Sequence, residues 1–334
     1  MVDPVSQTGF QVTSLNDTTI VQIPSRLAGV DAVAFKETCS QLLQESCVPK
    51  KVIFDFSQTT FIDSSGIGAL VSNHKHARQK EVELLLKGVP PQVMAVLEMT
   101  ALDKVLKIEQ LEQPTTSFAN RSKNQLPTTH PSVRSWVKRF LDIVGSIVGL
   151  GITAIALIPI ALAIKLNSPG PIFFGQTRLG WMGKPFTIWK FRSMYIDAEE
   201  RKKELLAQNQ QSDGKTFKIE NDPRITPVGR FLRKTSLDEL PQFWNVLKGE
   251  MSLVGTRPPT PNEVDIYEVP EWQRLDVKPG MTGEWQVSGR SSIRNFEDII
   301  KLDLRYQQNW NLAYDLKLII KTITVVFRKD SGAV

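Results

Sequence analysis

Between residues 9 and 113, short apolar runs alternate with stretches in which apolar positions recur every three or four residues. Alternation with a period of two marks strands, and recurrence near 3.6 marks amphipathic helices. This pattern predicts a hairpin from 10–15 and 19–23 around Asn16-Asp17 and a helix over 30–44. It then predicts a buried strand over 51–56, a helix over 66–78, a strand over 82–87 and a helix over 91–99. Residues 113–132, rich in Pro, Thr, Ser and Asn, lose all apolar periodicity and read as a linker.

The pattern changes character at 143–164, a run of 22 residues without a charge. As a helix rising about 1.5 Å per residue it covers roughly 33 Å, enough for a hydrocarbon core of about 30 Å. A simple span is the plainest reading, and two features argue against it. Pro159 removes a backbone donor and predicts a kink or break. Basic residues also flank both ends: Arg134, Lys138 and Arg139 before the run, Lys165, Arg178 and Lys184 after it. Such residues favour the cytoplasmic side, and here both flanks carry them. A re-entrant helix that enters and leaves by one face satisfies both clusters.

Beyond residue 167 the chain mixes strand-like and helix-like stretches among many Gly and Pro positions. A strand is predicted over 186–191 and a charged helix over 198–208. Residues 296–327 carry apolar positions at helical spacing together with Tyr306, Trp310 and several Lys and Arg. That pattern suits a helix packed on a core or one lying in a membrane interface.

Composition adds little to this division and removes some alternatives. The formal net charge of +6 suits an anionic partner, whether nucleic acid, acidic lipid or a phosphorylated substrate. Cys39 and Cys47 sit in a helical pattern and read as small core residues of a reducing compartment. With no basic n-region followed by an apolar run at the N-terminus, the N-terminal domain is expected to stay in the cytoplasm.

The candidate chemistry centres on Asp238-Glu239 within Lys234-Thr-Ser-Leu-Asp-Glu-Leu-Pro-Gln242. Ser236 with Glu239 matches a capping box, whereas a helix starting at Asp238 puts Pro241 in the first turn. Either register sets both carboxylates at a helix N-terminus. Around them lie Arg224, Arg230, Arg233 and Lys234, then Gly255-Thr-Arg257-Pro258, Lys278-Pro-Gly-Met-Thr-Gly283 and Gly289-Arg290. Carboxylates among guanidiniums, with turns that let backbone approach closely, suit a pyrophosphate substrate with a metal ion. One acid can attack phosphorus while the other handles a proton or Mg²⁺. A structural ion-pair network is the alternative.

The runs Lys190-Phe-Arg-Ser-Met194, Asp222-Pro-Arg-Ile-Thr-Pro-Val-Gly-Arg230, the stretch from Ser236 to Pro258, and Lys278–Gly283 resemble the bacterial sugar transferases. These are the monotopic polyprenyl-phosphate phosphoglycosyl transferases, and the likeness extends from about Arg134 onward. It implies that Asp238 is the nucleophile taking a phospho-sugar from a UDP-sugar with release of UMP, and that undecaprenyl phosphate then receives it. It implies that Glu239, with Asp238, assists with Mg²⁺, and that Arg233, Arg257 and Arg290 hold phosphate. It also places Lys138, Arg139, Asp142 and Pro159 in a re-entrant membrane element. The family's helix break is often Ser-Pro, whereas Ile158 precedes Pro159 here.

Upstream, Phe61-Ile-Asp-Ser-Ser-Gly-Ile-Gly68 follows the strand at 51–56 and reads as a strand-to-helix turn with Ser/Asp caps. It resembles the STAS domains of anti-sigma-factor antagonists, which implies that Ser64 is a phosphoacceptor. The expected fold is therefore α/β: a STAS-like domain over 9–113, a linker over 114–132, a membrane re-entrant helix within 133–166, and a mixed α/β catalytic domain over 167–334 with interfacial amphipathic helices. The expected partners are the UDP-sugar, undecaprenyl phosphate and membrane lipid, with a homodimer or a regulatory kinase acting through the STAS-like domain and no nucleic acid. The expected location is the bacterial inner membrane, with both domains facing the cytoplasm. The rival reading is a membrane-tethered STAS regulatory scaffold without catalysis; the retained acids and arginines count against it.

Overall fold

In the computed structural model, which describes residues 10–15, 17–44, 49–109, 129–205, 222–289, 293 and 295–327, the chain divides into two units. The first comprises Met1–Thr129 with Met182–Lys184 and Tyr267–Asp276; the second comprises His130–Trp181, Pro185–Ile266 and Val277–Val334.

The first unit is built on a five-stranded sheet. Its strands are β1 (Val12–Leu15), β2 (Thr18–Gln22), β4 (Lys51–Asp55), β6 (Glu83–Lys87) and β7 (Lys107–Glu109), in the order β1-β2-β4-β6-β7. Only β1 and β2 pair antiparallel; the remaining neighbours are parallel. A two-stranded parallel pair, β3 (Arg26–Leu27) with β5 (Phe61–Ile62), lies apart from it. The helices are α1 (Gly29–Leu42), α2 (Ser64–Gln79) and α3 (Pro91–Met99). The alternating pattern of β2 and β4 buries Val21, Val52 and Phe54, and Phe35 of α1 meets Phe54 edge-on at 4.7 Å. Pro91 opens α3, where a missing N–H is harmless. Every element predicted for this region is present, with ends moved by up to two residues. Sequence periodicity missed β3, β5 and β7, which are too short to show any. Asn16 and Cys47 lie outside the described residues; Cys39 is buried, which pushes its thiol up to about 12.

The second unit is organised along one long helix, α4 (Trp136–Asn167), capped by Ser135 accepting from Lys138 N at 3.2 Å. The chain continues through β8 (Phe173–Leu179), β9 (Pro185–Phe191), α5 (Ala198–Leu205), α6 (Pro227–Lys234) and α7 (Gln242–Lys248). It ends with β10 (Ser252–Val254), β11 (Gly280–Thr282), α8 (Phe296–Gln308) and α9 (Leu312–Phe327). β8 and β9 form an antiparallel ribbon, and β10 pairs with β11 in parallel. Residues 206–208 of the predicted charged helix lie outside the described residues. The single amphipathic stretch expected over 296–327 resolves into α8 and α9, because Asn309–Asn311 interrupt it and Asn311 Oδ1 accepts from Tyr314 N at 2.9 Å. Leu316, Ile320 and Ile323 of α9 remain exposed.

Helix α4 inverts the usual amphipathic rule. Its buried face is Lys138, Asp142, Ser146, Gly149, Thr153, Ile160 and Ile164, largely small or polar. Its exposed face carries Ile147, Ile152, Ile155, Ile158, Leu162 and Leu166. A row of large apolar side chains in the open is out of place in water and natural in lipid. Of the kink or break predicted at Pro159, a break is absent: the helix continues past the proline to Asn167. Small residues on the inner face admit close neighbours: a Cβ added at Gly149 would lie 2.4 Å from the Phe243 ring, whereas one at Gly151 would meet nothing within 4 Å.

Gly149→Ala should therefore displace Phe243 and destabilise the second unit by about 1–3 kcal/mol, while Gly151→Ala leaves the melting temperature unchanged or raised. Thermal melts of the detergent-solubilised variants measure this; equal melting temperatures for the two would refute the packing role assigned to Gly149.

Candidate active site

The turn that carries the two acids is made by one residue of unusual conformation. Helix α6, capped by Thr226 and opened by Pro227, ends at Lys234. Ser236 then adopts φ 56°, in the left-handed region, and reverses the chain into a one-turn 3₁₀ helix, Leu237–Glu239. The Ser236 side chain caps nothing, so the capping box expected with Glu239 is not formed. A left-handed residue has its side chain turned away from the amides that follow, and Glu239 N bonds the Ser236 carbonyl at 3.2 Å instead. Helix α7 begins only at Gln242, after Pro241. The acids thus occupy a separate turn before the helix rather than its first turn.

The core holds this turn from below. Leu237 and Leu240 pack against the cluster of Ile160, Ile164, Phe191 and Leu232, and Thr153 Oγ1 of α4 donates to the Leu240 carbonyl at 3.2 Å. Asp238 between these leucines is buried, with 6% of its surface exposed. Burial raises its pKa; Glu239 adds to the rise, while Lys190 and Arg233 oppose it. Glu239 is more open and accepts from Lys190 Nζ at 2.7 Å. Arg233 Nε donates to Ser193 Oγ at 2.9 Å, and its charge is balanced by Asp238 and Asp222. Asp238, Glu239, Arg233 and Lys190 therefore form one electrostatic group. Local sequence marks Lys190 only as the first residue of the Lys190–Met194 run and gives it no role at the site. Its partner lies 49 residues away in the chain, and only the return of β9 beside the turn brings them together.

Other basic residues of the motifs serve the fold. Arg224 is buried and bonds Asp222 through Nε and Nη2, at 2.9 and 2.6 Å. Arg257 makes a two-pronged pair with Glu263, at 3.0 and 3.2 Å, above a capping box of Thr260 and Glu263. Burial alone would raise the Glu263 carboxyl, but Arg257, helped by Arg178, holds it down at about 2. Arg290 lies outside the described residues. Glycines of two motifs interlock: Gly280 N donates to Thr256 O at 2.8 Å, and a Cβ on Gly255 would lie 2.2 Å from Lys278 O. The close backbone approach foreseen for these turns is backbone against backbone.

The residues assigned to the membrane element split by role. Lys138 is buried and donates to Asp315 at 2.6 Å and to Val254 O at 2.9 Å. Asp142, one turn on, accepts from Ser252 Oγ at 2.9 Å and Leu253 N at 2.8 Å. Arg139 donates to the carbonyls of Val246 and Leu247, 2.7 and 2.6 Å away, and so caps the C-terminus of α7. These three fasten the start of α4 to the protein, whereas Pro159 lies in its apolar stretch. In the first unit, Asp63 caps α2 by accepting from Gly66 N at 2.9 Å, as the turn motif predicts. Ser64 is fully buried.

A family profile described as Bacterial sugar transferase matches residues 133–329, and one described as STAS domain matches residues 10–113. The chain is 54% identical over 192 residues to the galactosyl transferase CpsE of Streptococcus agalactiae serotype III (strain NEM316), covering 57% of this chain and 42% of that protein. It is 46% identical over 200 residues to the undecaprenyl-phosphate galactose phosphotransferase of Salmonella typhimurium (strain LT2), covering 59% and 42%. It is 41% identical over 198 residues to the UDP-glucose:undecaprenyl-phosphate glucose-1-phosphate transferase of Escherichia coli (strain K12), covering 57% and 40%. The chain thus spans about two fifths of the length of these relatives.

Because the folded-state pKa of Glu263 lies below its unfolded value, its contribution is complete above about pH 5 and is lost as pH falls toward 2. Glu263→Gln should lower stability at pH 7 by about 3 kcal/mol and flatten the dependence on acid. Urea titrations between pH 3 and 7 check this; parallel pH profiles for wild type and variant would contradict it.

Proposed function

We propose, on the premise that this chain belongs to the bacterial sugar transferase family, that it moves a sugar 1-phosphate from a UDP-sugar to undecaprenyl phosphate, the first membrane step of a polysaccharide or glycan assembly. The observation that carries this reading is the buried Asp238 beside Arg233 and Lys190, on a turn seated against a helix whose far face is bare apolar surface. An anionic diphosphate donor and a lipid acceptor need those two properties side by side.

The chemistry follows from the residues. Asp238 attacks the phosphorus that bears the sugar; a P–O bond forms to its carboxylate, the diphosphate P–O bond breaks, and UMP leaves with that oxygen. A phosphate oxygen of the lipid then attacks the same phosphorus, forms the diphosphate and returns the Asp238 carboxylate. Arg233 and Lys190 offset the charge gathered on the phosphoryl oxygens. Arg257 supports the donor site once it exchanges part of its pairing with Glu263 for phosphate. Among the described residues no cluster of three or more His, Cys, Asp or Glu could hold a metal by protein alone. Two adjacent carboxylates nevertheless fit Mg²⁺, which is commonly held by one or two carboxylates together with substrate phosphates. Asp238 and Glu239 would hold it, and it would supply positive charge that favours their ionised forms.

The helix enters and leaves the membrane by one face in this reading. Both of its ends are tied to the same unit: Lys138 to Val254 and Asp315, and Asn167 Oδ1 to Val228 N at 3.3 Å. A straight span would drag that unit's polar surface into lipid. The location that follows is the cytoplasmic membrane with the catalytic turn on the nucleotide-sugar side.

Wild type should release about one UMP per site when mixed with its UDP-sugar and Mg²⁺ without lipid, as a covalent intermediate requires. Asp238→Asn should remain folded and lose turnover at least about 10³-fold; turnover retained in that variant would end the proposed mechanism.

For topology, single cysteines replacing Val30 and Arg201, both exposed, are placed in a chain lacking Cys39 and Cys47. Both should escape an impermeant thiol reagent until cells are permeabilised. Labelling of either in intact cells would exclude the one-faced insertion.

A further inference from the structure

The one-turn helix Glu284–Val287 follows β11 and is firmly held from below. Gly255 N donates to Thr282 O at 2.9 Å, and a Cβ on Gly283 would lie 2.1 Å from Gly255 O. Val287 packs with Val254, Tyr306 and Leu318, and Glu284 accepts from Tyr314 Oη at 2.7 Å. Trp285 of this helix is only half-buried, yet its Nε1 is closed to solvent and has no acceptor among the described residues. A tryptophan kept for packing normally finds a partner for that N–H, because an unpaired buried donor is costly. The Arg257 guanidinium lies over the ring, with Cζ 5.9 Å from its centroid. An aromatic ring without a bond of its own thus stands on a rigid turn, beside a cation oriented by Glu263.

The β8–β9 ribbon measures how far this corner lies from the acids. Lys190, which bonds Glu239, stands opposite Phe174. Arg178, which donates to Pro258 O at 3.0 Å beside Arg257, stands opposite Phe186. From Phe174 to Arg178 the strand advances roughly 13 Å. A hexose on the phosphorus attacked by Asp238 does not reach so far. The nucleoside on the other side of the diphosphate does, and the phosphates then fall between Lys190 and Arg257.

On the reading of the chain as a UDP-sugar transferase, we propose that the Trp285 ring is the platform on which the donor's nucleobase stacks. Arg257 grips the phosphate beside it. The labour divides by chemistry: the cation acts on charge, and the ring acts on a flat, uncharged π-face. Loss of the ring therefore weakens ligands that carry a base and spares those that carry phosphate alone. Trp285 touches the donor away from the reacting atoms, so its loss raises KM for the UDP-sugar and leaves kcat unchanged.

UMP and inorganic pyrophosphate are the probes, each titrated calorimetrically into the full chain in detergent without Mg²⁺. The proteins are wild type, Trp285→Phe, which keeps a ring and drops the N–H, and Trp285→Leu, which keeps only apolar bulk. Trp285→Leu should bind UMP about tenfold to a hundredfold more weakly than wild type. Trp285→Phe should stay within about threefold of wild type, and all three should bind pyrophosphate alike. UMP held equally by wild type and Trp285→Leu overturns the stacking role while leaving the transfer reaction standing. Equal weakening by Phe and Leu overturns it too, since the N–H and not the ring face would then be at work. Parallel loss of pyrophosphate also overturns it, because Trp285 would then be only a prop for Arg257. A wild type that binds no UMP removes the transferase reading, and this inference falls with it.

Discussion

Helix α4 has to satisfy protein on one face and an apolar medium on the other, and most of the second unit follows from that demand. Because its outer face carries most of the large aliphatic residues, its inner face up to Thr153 is left with glycine, serine, threonine and two charges, and only Ile160 and Ile164 beyond it are large. Small residues bring neighbouring backbone close, and the neighbour at Thr153 is the turn that carries Asp238 and Glu239. The apolar outer face and the position of the acids are thus two results of a single packing arrangement.

The charged residues at the start of α4 show how such a helix is held without a conventional apolar seam. Lys138 and Asp142 are one turn apart, and both point inward. Lys138 meets Asp315, which also accepts from Tyr306 and Trp310 at 2.9 and 3.1 Å, so the buried carboxylate has donors on both oxygens. Satisfied to this degree, a buried pair contributes geometry more than stability, fixing the rotation of the helix about its axis. That rotation decides which residues face outward. The same economy of pairing appears at Arg224 with Asp222 and at Arg257 with Glu263, where motif arginines are committed to carboxylates. Arg233 differs: its Nε donates to the Ser193 hydroxyl, and its charge is balanced by Asp238 together with Asp222.

The N-terminal unit rests on a different logic, that of a mostly parallel sheet whose βα turns are pinned by side-chain caps and close backbone contacts. Asp63 caps α2 and accepts from Gly29 N at 3.3 Å, tying the start of α1 to the start of α2. Gly66 allows the Leu27 carbonyl to come close; a Cβ there would lie 2.4 Å from it. With the turn fixed so firmly, the environment of Ser64 depends on what covers it.

The sequence by itself determined the elements whose pattern is local. These are the helices and longer strands of the first 113 residues, the long apolar helix, the acidic pair among basic residues, and the capping turn at Asp63. Each is encoded by neighbours within a few residues, so periodicity and capping chemistry suffice. What the sequence could not determine depended on long-range return of the chain. Lys190 meets Glu239 across 49 residues, Lys138 meets Asp315 across 177, and Ser64 meets Asp276 across 212. The capping box read at Ser236 is absent there and one is present at Thr260, because a left-handed turn leads from α6 into the acidic pair Asp238-Glu239. The continuity of α4 through Pro159 was likewise decided by tertiary packing, with Ile160 and Ile164 anchoring the residues beyond the proline in a core that local pattern cannot foresee.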